Sequence, residues 1–513
     1  MIVRATELPS SQSYDVCIIG SGALGIALAL SLSQAGKRVI IVEAGGEAIT
    51  AESQSFYHCD TIGRAYSGAT EGRFRVFGGS TERWGGQAMR FDEVDFEQRG
   101  TVFPTTWPVR REELLPYYKQ AEHYMGVSGA QYDLFPNDFR KAAERFRISS
   151  DLIARACEPF QLHYSVFTRE PRMREKYREE LSTRENLTVA LECPAQKLIG
   201  TPEGWISGVE ILTEEGPLTI RAENTILACG CIENTRFLML QRDFYKLPCL
   251  PELPVLGQFL QDHPGAHLGE ISFNKGVFLQ DLFRLKDRNG IAYKARISWC
   301  ESVRREGERP AVSGTLLMIP GGSEYDDARH NGLGQLLMKA TRPDLWLKMI
   351  SSASRGSIFS PLHRTYLAVS AEDVRDDTSR IRLSKHRTDA QGKPLAEIAW
   401  KVSPVVADSI LSYLDAFERF LGICNLGKLR RFSFAKHRDD LLARLQDNSH
   451  QIGTTSMADS PSGGVVDRNL RVFGTKNLYI TGTSVLPTGS HANPTLTALA
   501  LGFRLSRHLT EGR

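Results

Sequence analysis

YDVCIIGSGALGIALALSLSQAGKRVIIVEAG (Tyr14–Gly45) decides the fold. Its opening, Tyr14–Ile19, is an apolar run suited to a central strand. GSGALG (Gly20–Gly25) follows, and Ile26–Gln34 is the Ala/Leu-rich run of a packed helix. Gly36 stands where a helix C-cap belongs, and Arg38–Val42 is the next strand, with Glu43 at its end. Within this strand–helix–strand unit GSGALG satisfies G-x-G-x-x-G in the context that gives the pattern meaning, a dinucleotide site. Gly20 permits the tight turn, Gly22 lets backbone approach a pyrophosphate, and Gly25 lets helix and strand pack closely. Around Ser21, Ala23 and Leu24 the helix N-terminus offers free N–H groups and partial positive charge to a diphosphate. Glu43, followed by Ala44, is placed to accept hydrogen bonds from adenosine ribose hydroxyls, and its charge disfavours a 2′-phosphate.

NAD and FAD share this fingerprint, and two distant segments favour FAD. RVFGGSTERWGGQ (Arg75–Gln87) is a glycine-rich loop suited to a second approach to the pyrophosphate or to the flavin ring. Its candidate contacts are Gly78, Gly79, Ser80, Arg83, Trp84, Gly85, Gly86 and Gln87. TILACGCIENTRFLML (Thr225–Leu240) is a strand–glycine–helix unit suited to closing over the nucleotide through Ala228, Gly230 and Asn234. Ala195 and Gln196 are assigned to the same cofactor site.

The C-terminal region reads HQIGTTSM (His450–Met457), VVDRNLRVFGTKNLYITGTSVLP (Val465–Pro487) and HANPTLTALALGFRLSRHL (His491–Leu509). It offers a base, His450, and an amide, Asn493, on loops around a strand. Histidine suits proton removal because its unperturbed pKa of about 6.5 lies near working pH. Asn493 can donate to an oxygen as negative charge develops there. Pro494 marks a helix start, so the N-terminus from Thr495 points positive charge at a ligand. Gly482 and Thr483, in the turn before, join the cofactor contacts. His491 competes with Asn493 for the second role, while His263 and His267 are assigned structural roles in a loop and His437 an exposed position.

At 513 residues the chain exceeds a single simple core, and 41% hydrophobic with 24% charged residues is ordinary for a globular protein. A net charge of +3 gives no argument for nucleic acid or an anionic membrane. The nine cysteines are scattered with no CxxC pair, against a disulfide framework or a zinc site, so no metal is expected. Val16–Leu32 is short and glycine-broken for a membrane span. MIVRATELPSSQS lacks the basic start and apolar run of a signal peptide, so a cytoplasmic location is expected. A basic, Leu- and Met-rich helix over Leu333–Arg355, broken by Pro343, is expected to cover its own domain rather than a membrane.

Strand-like runs at Arg364–Ser370, Arg380–Ser384 and Ala396–Val402, then a helical stretch at Val405–Leu421, predict a second domain on an antiparallel sheet. The expected division is cofactor-binding segments at 12–95, 186–264 and 445–513, a helical cap or lid at 96–185, and a substrate domain at 265–444.

With these segments in hand, the chain resembles the glucose-methanol-choline (GMC) oxidoreductases over nearly its whole length. The resemblance rests on GSGALG with VEAG, FGGSTERWGG (Phe77–Gly86), LACGCIENTRFLML, VLGQFLQDHP (Val255–Pro264), AEDVRDDTSRIRLS (Ala371–Ser384) and the HxxGT…NPTLTA pattern, in order. WGGQAMRFDEVDF, Trp107–Val127 and HANPTLTALAL are nearest the branch of pyranose 2-oxidase and the large subunits of fructose and gluconate dehydrogenases. The resemblance implies a Rossmann-like α/β FAD-binding domain with an α+β substrate domain. It also implies oxidation of an alcohol, of a sugar, glycoside or cyclitol, with His450 as base and Asn493 as its partner. Several relatives attach FAD through a histidine in the loop after the GG pair; Arg83 stands there, so non-covalent FAD is expected. The electron acceptor stays open between O₂ and a carrier such as a quinone or a cytochrome on another chain. A non-turnover FAD-binding protein is the remaining alternative.

Overall fold

The computed structural model describes residues 1–8, 13–145, 148–250, 253–274, 283, 285–320 and 363–512. The first strand–helix–strand unit forms as expected: strands Ser13–Ile19 and Val39–Val42 run parallel, joined by the helix Ala23–Gln34. Every residue of Val39–Val42 is buried, because helices and loops cover both faces of a parallel sheet. Gly36, at φ +83°, takes the left-handed position after the helix that only glycine adopts without strain.

This first sheet has the order Ile2–Arg4, Leu187–Leu191, Val39–Val42, Ser13–Ile19, Gly216–Leu227, Ile206–Thr213, Ala195–Gly200. Gly216–Leu227 is shared along its length: its first half pairs antiparallel with Ile206–Thr213, and its end pairs parallel with Leu478–Ile480. The C-terminal region therefore returns to the cofactor sheet. From there the helix Thr495–Glu511 packs between Ala23–Gln34 and Arg111–Met125.

The second sheet is antiparallel, ordered Gly427–Arg431, Gly265–Phe273, His363–Ala371, Val312–Pro320, Ile291–Trp299, Phe160–Phe167, Gln87–Ala88. Its back is covered by the long helix Pro404–Ile423, whose Tyr413, Phe417 and Phe420 pack with Phe160 and Trp299. Two strands come from outside 265–444: Phe160–Phe167 from the segment expected to be a helical cap, and Gln87–Ala88 from the end of the glycine loop. A small third sheet pairs Arg380–Thr388 with Pro394–Trp400, and that strand with Cys59–Gly63. His267 lies on the strand Gly265–Phe273 rather than in a loop, and His437 is exposed. The expected helix at Leu333–Arg355 falls outside the described residues. Among the described residues no helix is long and apolar enough to cross a membrane, and no cluster of side chains has metal-ligand character. All nine cysteines are free.

Candidate active site

A cavity of about 1090 Å³ runs from GSGALG to His450 and Asn493. Small-molecule sites span roughly 300–1000 Å³, so this one has room for a dinucleotide and a small second molecule. At its nucleotide end the helix Ala23–Gln34 begins at Gly22 with no capping side chain, leaving its first N–H groups to the cavity. A Cβ on Gly22 would meet no protein atom within 4 Å, while one on Gly25 would lie 2.0 Å from the Gly20 carbonyl oxygen. The first glycine faces the ligand space and the second packs helix on strand, as the fingerprint requires. The second glycine loop sits directly on the first. The Gly78 N–H donates to Ser21 Oγ at 3.1 Å, and a Cβ on Gly79 would stand 3.1 Å from Gly22 Cα. Both loops thus present backbone to one place, a cradle that fits a diphosphate.

Glu43 is 6% exposed and largely engaged within the chain. Its Oε2 accepts from the Ser21 N–H at 2.9 Å and hydroxyl at 2.7 Å, and its Oε1 from the Gly45 N–H at 2.7 Å. Burial pushes the carboxyl pKa up, and these hydrogen bonds pull it back. Glu43 therefore clamps the glycine turn to the strand end, with acceptor capacity left on Oε1 for a ribose hydroxyl.

At the other end, four groups form one hydrogen-bonded line. His263 Nε2 lies 3.0 Å from the Gly489 carbonyl oxygen, His263 Nδ1 lies 3.0 Å from His450 Nδ1, and Asn493 Nδ2 lies 2.9 Å from His450 Nε2. A carbonyl only accepts, so His263 carries its proton on Nε2. Burial lowers the His263 pKa to about 4, so the ring is neutral and its Nδ1 accepts. His450 must then donate from Nδ1, which leaves its Nε2 bare toward Asn493 and the cavity. Burial first, then His263 and Arg296, hold the His450 pKa well below the usual imidazole value. His450 is a neutral imidazole with its tautomer set by its neighbours.

Asp262, buried, holds both histidines by their backbones. It accepts from the His263 N–H at 2.6 Å, the His450 N–H at 3.0 Å, the Asn448 N–H at 3.0 Å and the Tyr66 hydroxyl at 2.7 Å. Burial, and after it the nearby Asp447, raise its pKa to about 6. The loop carrying Asn493 is held by a second buried group. Asp95 accepts from Ser490 Oγ at 2.7 Å, its carbonyl from Thr488 Oγ1 at 2.9 Å, and Trp107 Nε1 donates to Thr488 Oγ1 at 2.8 Å. Asp95 in turn pairs with Arg304, whose side chain has no exposure and also reaches Asp92 at 3.2 Å and Glu372 at 3.6 Å.

Of the residues assigned from sequence, all line this cavity except Gly25, Gly78 and Asn234. Gly25 and Gly78 stand behind the wall in the packing just described. Asn234 is buried there too, accepting from the Cys229 N–H at 2.8 Å and donating to the Thr481 carbonyl at 2.9 Å, so that it ties two loops together. His263, His267, Arg296 and His491 also line the cavity; from sequence, His263 and His267 carry structural roles, His491 competes with Asn493, and Arg296 has no assignment. For His263 the segment VLGQFLQDHP marked a motif but not its partner; for Arg296 there was no signal.

Residues 375–502 match the family described as GMC oxidoreductase, and residues 15–269 match FAD dependent oxidoreductase. Paromamine 6′-oxidase of Streptomyces fradiae is 22% identical, over 96% of this chain and 91% of that protein. 2-Methyl-1,2-propanediol dehydrogenase of Mycolicibacterium austroafricanum is 23% identical, over 98% and 96%. A formate oxidase variant from Aspergillus oryzae RIB40 shares the fold, with a TM-score of 0.62 at 16% identity over 99% of each chain. With the glycine cradle at one end of the cavity and these matches along the sequence, the chain is an FAD-dependent oxidoreductase acting on CH–OH donors, similar to the GMC oxidoreductases over residues 375–502.

Proposed function

We propose that the chain oxidises an alcohol group of a sugar, glycoside or cyclitol, with His450 as the base and Asn493 as the group that holds the substrate oxygen. The observation that carries this reading is the line from Gly489 through His263 and His450 to Asn493, which leaves His450 Nε2 unprotonated at the cavity. FAD, when bound, supplies the hydride acceptor. A substrate hydroxyl that takes Asn493's place on Nε2 gives His450 its proton. The freed Asn493 amide then donates to the oxygen on which charge develops. As His450 becomes positively charged, its Nδ1–H bond to His263 strengthens. The names of relatives, a paromamine 6′-oxidase and a 6′′′-hydroxyparomomycin C oxidase, support a glycoside-like substrate.

Gly79 and Gly22 would hold the diphosphate in this reading, and the helix N-terminus at Pro494–Thr495 would lend its positive charge to the flavin. Arg83 lines the cavity where some relatives carry an attaching histidine, so FAD is held without a covalent bond. Acid precipitation should release the yellow colour into the supernatant; colour on the pellet contradicts this.

The test of the whole reading is anaerobic flavin bleaching by sugars, glycosides and cyclitols. Wild type should bleach with at least one of them. His450→Ala should keep FAD and bleach ~10²-fold more slowly. An unchanged rate would remove His450 from its role, and no bleaching by any compound would favour a non-turnover protein. Reoxidation with O₂ in the same instrument separates an oxidase from a dehydrogenase that needs another carrier.

A further inference from the structure

The substrate end of the cavity holds a positive charge that no carboxylate among the described residues neutralises. Arg296 lies mid-strand in Ile291–Trp299 and lines the cavity with His263, His450, His491 and Asn493. Its one hydrogen bond is from Nε to Ser165 Oγ, at 3.5 Å. Among the described residues no carboxylate pairs with its guanidinium. Arg304 makes the contrast: that buried arginine meets Asp92, Asp95 and Glu372. Within the same cavity, Asp447 is occupied by the Ser67 N–H and hydroxyl and the Gly68 N–H.

A second group in the same wall is also unpartnered. His491 is 4% exposed, and neither of its ring nitrogens has a hydrogen-bond partner. It meets the His163 ring edge to face, with centroids 5.4 Å apart, and His163 stands opposite Arg296 in the neighbouring strand. His163 itself is used, 2.6 Å from Ser298 Oγ. The charge of Arg296 also contributes to the lowered pKa values of His163, His263, His450 and His491, so it acts on all four rings together. A half-buried guanidinium without an anion and a buried imidazole without a partner are both unfavourable unless a ligand completes them.

We infer that Arg296 and His491 form an anion subsite beside His450, and that the alcohol oxidised here carries a carboxylate, making the substrate a polyhydroxy acid rather than a neutral sugar. The planar guanidinium offers parallel N–H groups that match a carboxylate bidentately, and the neutral His491 ring offers one further N–H donor. This rests on the proposed alcohol oxidation at His450 and adds the part of the substrate that does not react.

Two readouts test it on the FAD-loaded enzyme. The first is binding without turnover: acetate, then gluconate, titrated against the visible flavin spectrum of the oxidised enzyme, with inorganic phosphate as a parallel arm. Wild type should show saturable perturbation by carboxylates, and Arg296→Met should weaken it at least tenfold. Arg296→Lys, which keeps the charge but not the fork, should fall between them. The second is anaerobic bleaching by matched pairs, glucose against gluconate and methyl glucoside against glucuronate. The acid of a pair should be favoured at least tenfold in kcat/KM, and Arg296→Met should shrink that ratio. Neutral members bleaching as well as acids would overturn the subsite and leave the alcohol oxidation standing. Carboxylate binding lost in Arg296→Met without bleaching by any compound would keep the subsite and sink the oxidation. Phosphate binding in preference to carboxylate, or no perturbation by either, overturns the inference.

Discussion

His263→Ala separates a merely buried histidine from one that sets up the base. In the wild type His450 donates from Nδ1 to His263 over 3.0 Å, and His263 is anchored on Gly489 over 3.0 Å. Two effects vanish with the ring. The first is tautomer choice: without an acceptor at Nδ1, part of the His450 population carries its proton on the wrong nitrogen, a loss of a few-fold. The second is larger. When His450 takes the substrate proton, its Nδ1–H becomes a charged donor, and such a bond is worth about 1.5–3 kcal/mol. In rate that is about 10- to 150-fold. The charge effect therefore decides the outcome. Anaerobic stopped-flow reduction reads it directly, because the limiting rate is separated from substrate affinity. His263→Ala should lower the limiting rate by that factor with FAD retained. His263→Asn, whose Oδ1 can take the place of the Nδ1 acceptor, should recover most of it. A His263→Ala rate within twofold of wild type, or no recovery with His263→Asn, would refute the positioning of His450 by His263.

Gly22→Val should give a folded, colourless protein, because its side chain enters open ligand space, whereas Gly25→Val should not fold, with a Cβ 2.0 Å from the Gly20 oxygen; FAD occupancy and thermal melting distinguish them. The acid limb of kcat/KM should lie below the ordinary imidazole range near 6.5, since burial keeps His450 in its neutral, accepting form as pH falls; a limb at 6.5 or above would contradict the burial argument. Stability should also fall with pH below 6.5: His263, lowered to about 4, must take a proton on unfolding, and its contribution of about 3 kcal/mol is present above 6.5 and lost progressively toward pH 4. Arg304→Met should destabilise by about 3–5 kcal/mol in urea unfolding, because Asp95 is left buried without its cation.

The nucleotide end was legible because its signal is local. Strand, glycine turn, helix and Glu43 occupy about thirty consecutive residues, and each glycine's task follows from backbone geometry. Even there the structure adds something: Glu43 spends most of its capacity on Ser21 and Gly45. His450 and Asn493 were legible as a pair of motifs, but the histidine behind them was not. The His263–His450 bond joins positions 187 apart, and nothing in either segment announces it. The same holds for the second sheet, whose strand Phe160–Phe167 comes from a stretch expected to be a helical cap. Non-local pairing of this kind leaves no trace in local periodicity. Arg296 was hidden for another reason: along a strand it reads like any solvated cation, and only the absence of a carboxylate around it marks it.

The central claim is that a neutral His450, held by His263, removes the hydroxyl proton of an alcohol as FAD is reduced. Its most direct measurement is anaerobic flavin reduction by polyols and polyhydroxy acids, comparing wild type with His450→Ala at matched FAD content. The account predicts bleaching by wild type and a limiting rate ~10²-fold lower in the variant. Equal limiting rates in the two proteins would contradict it.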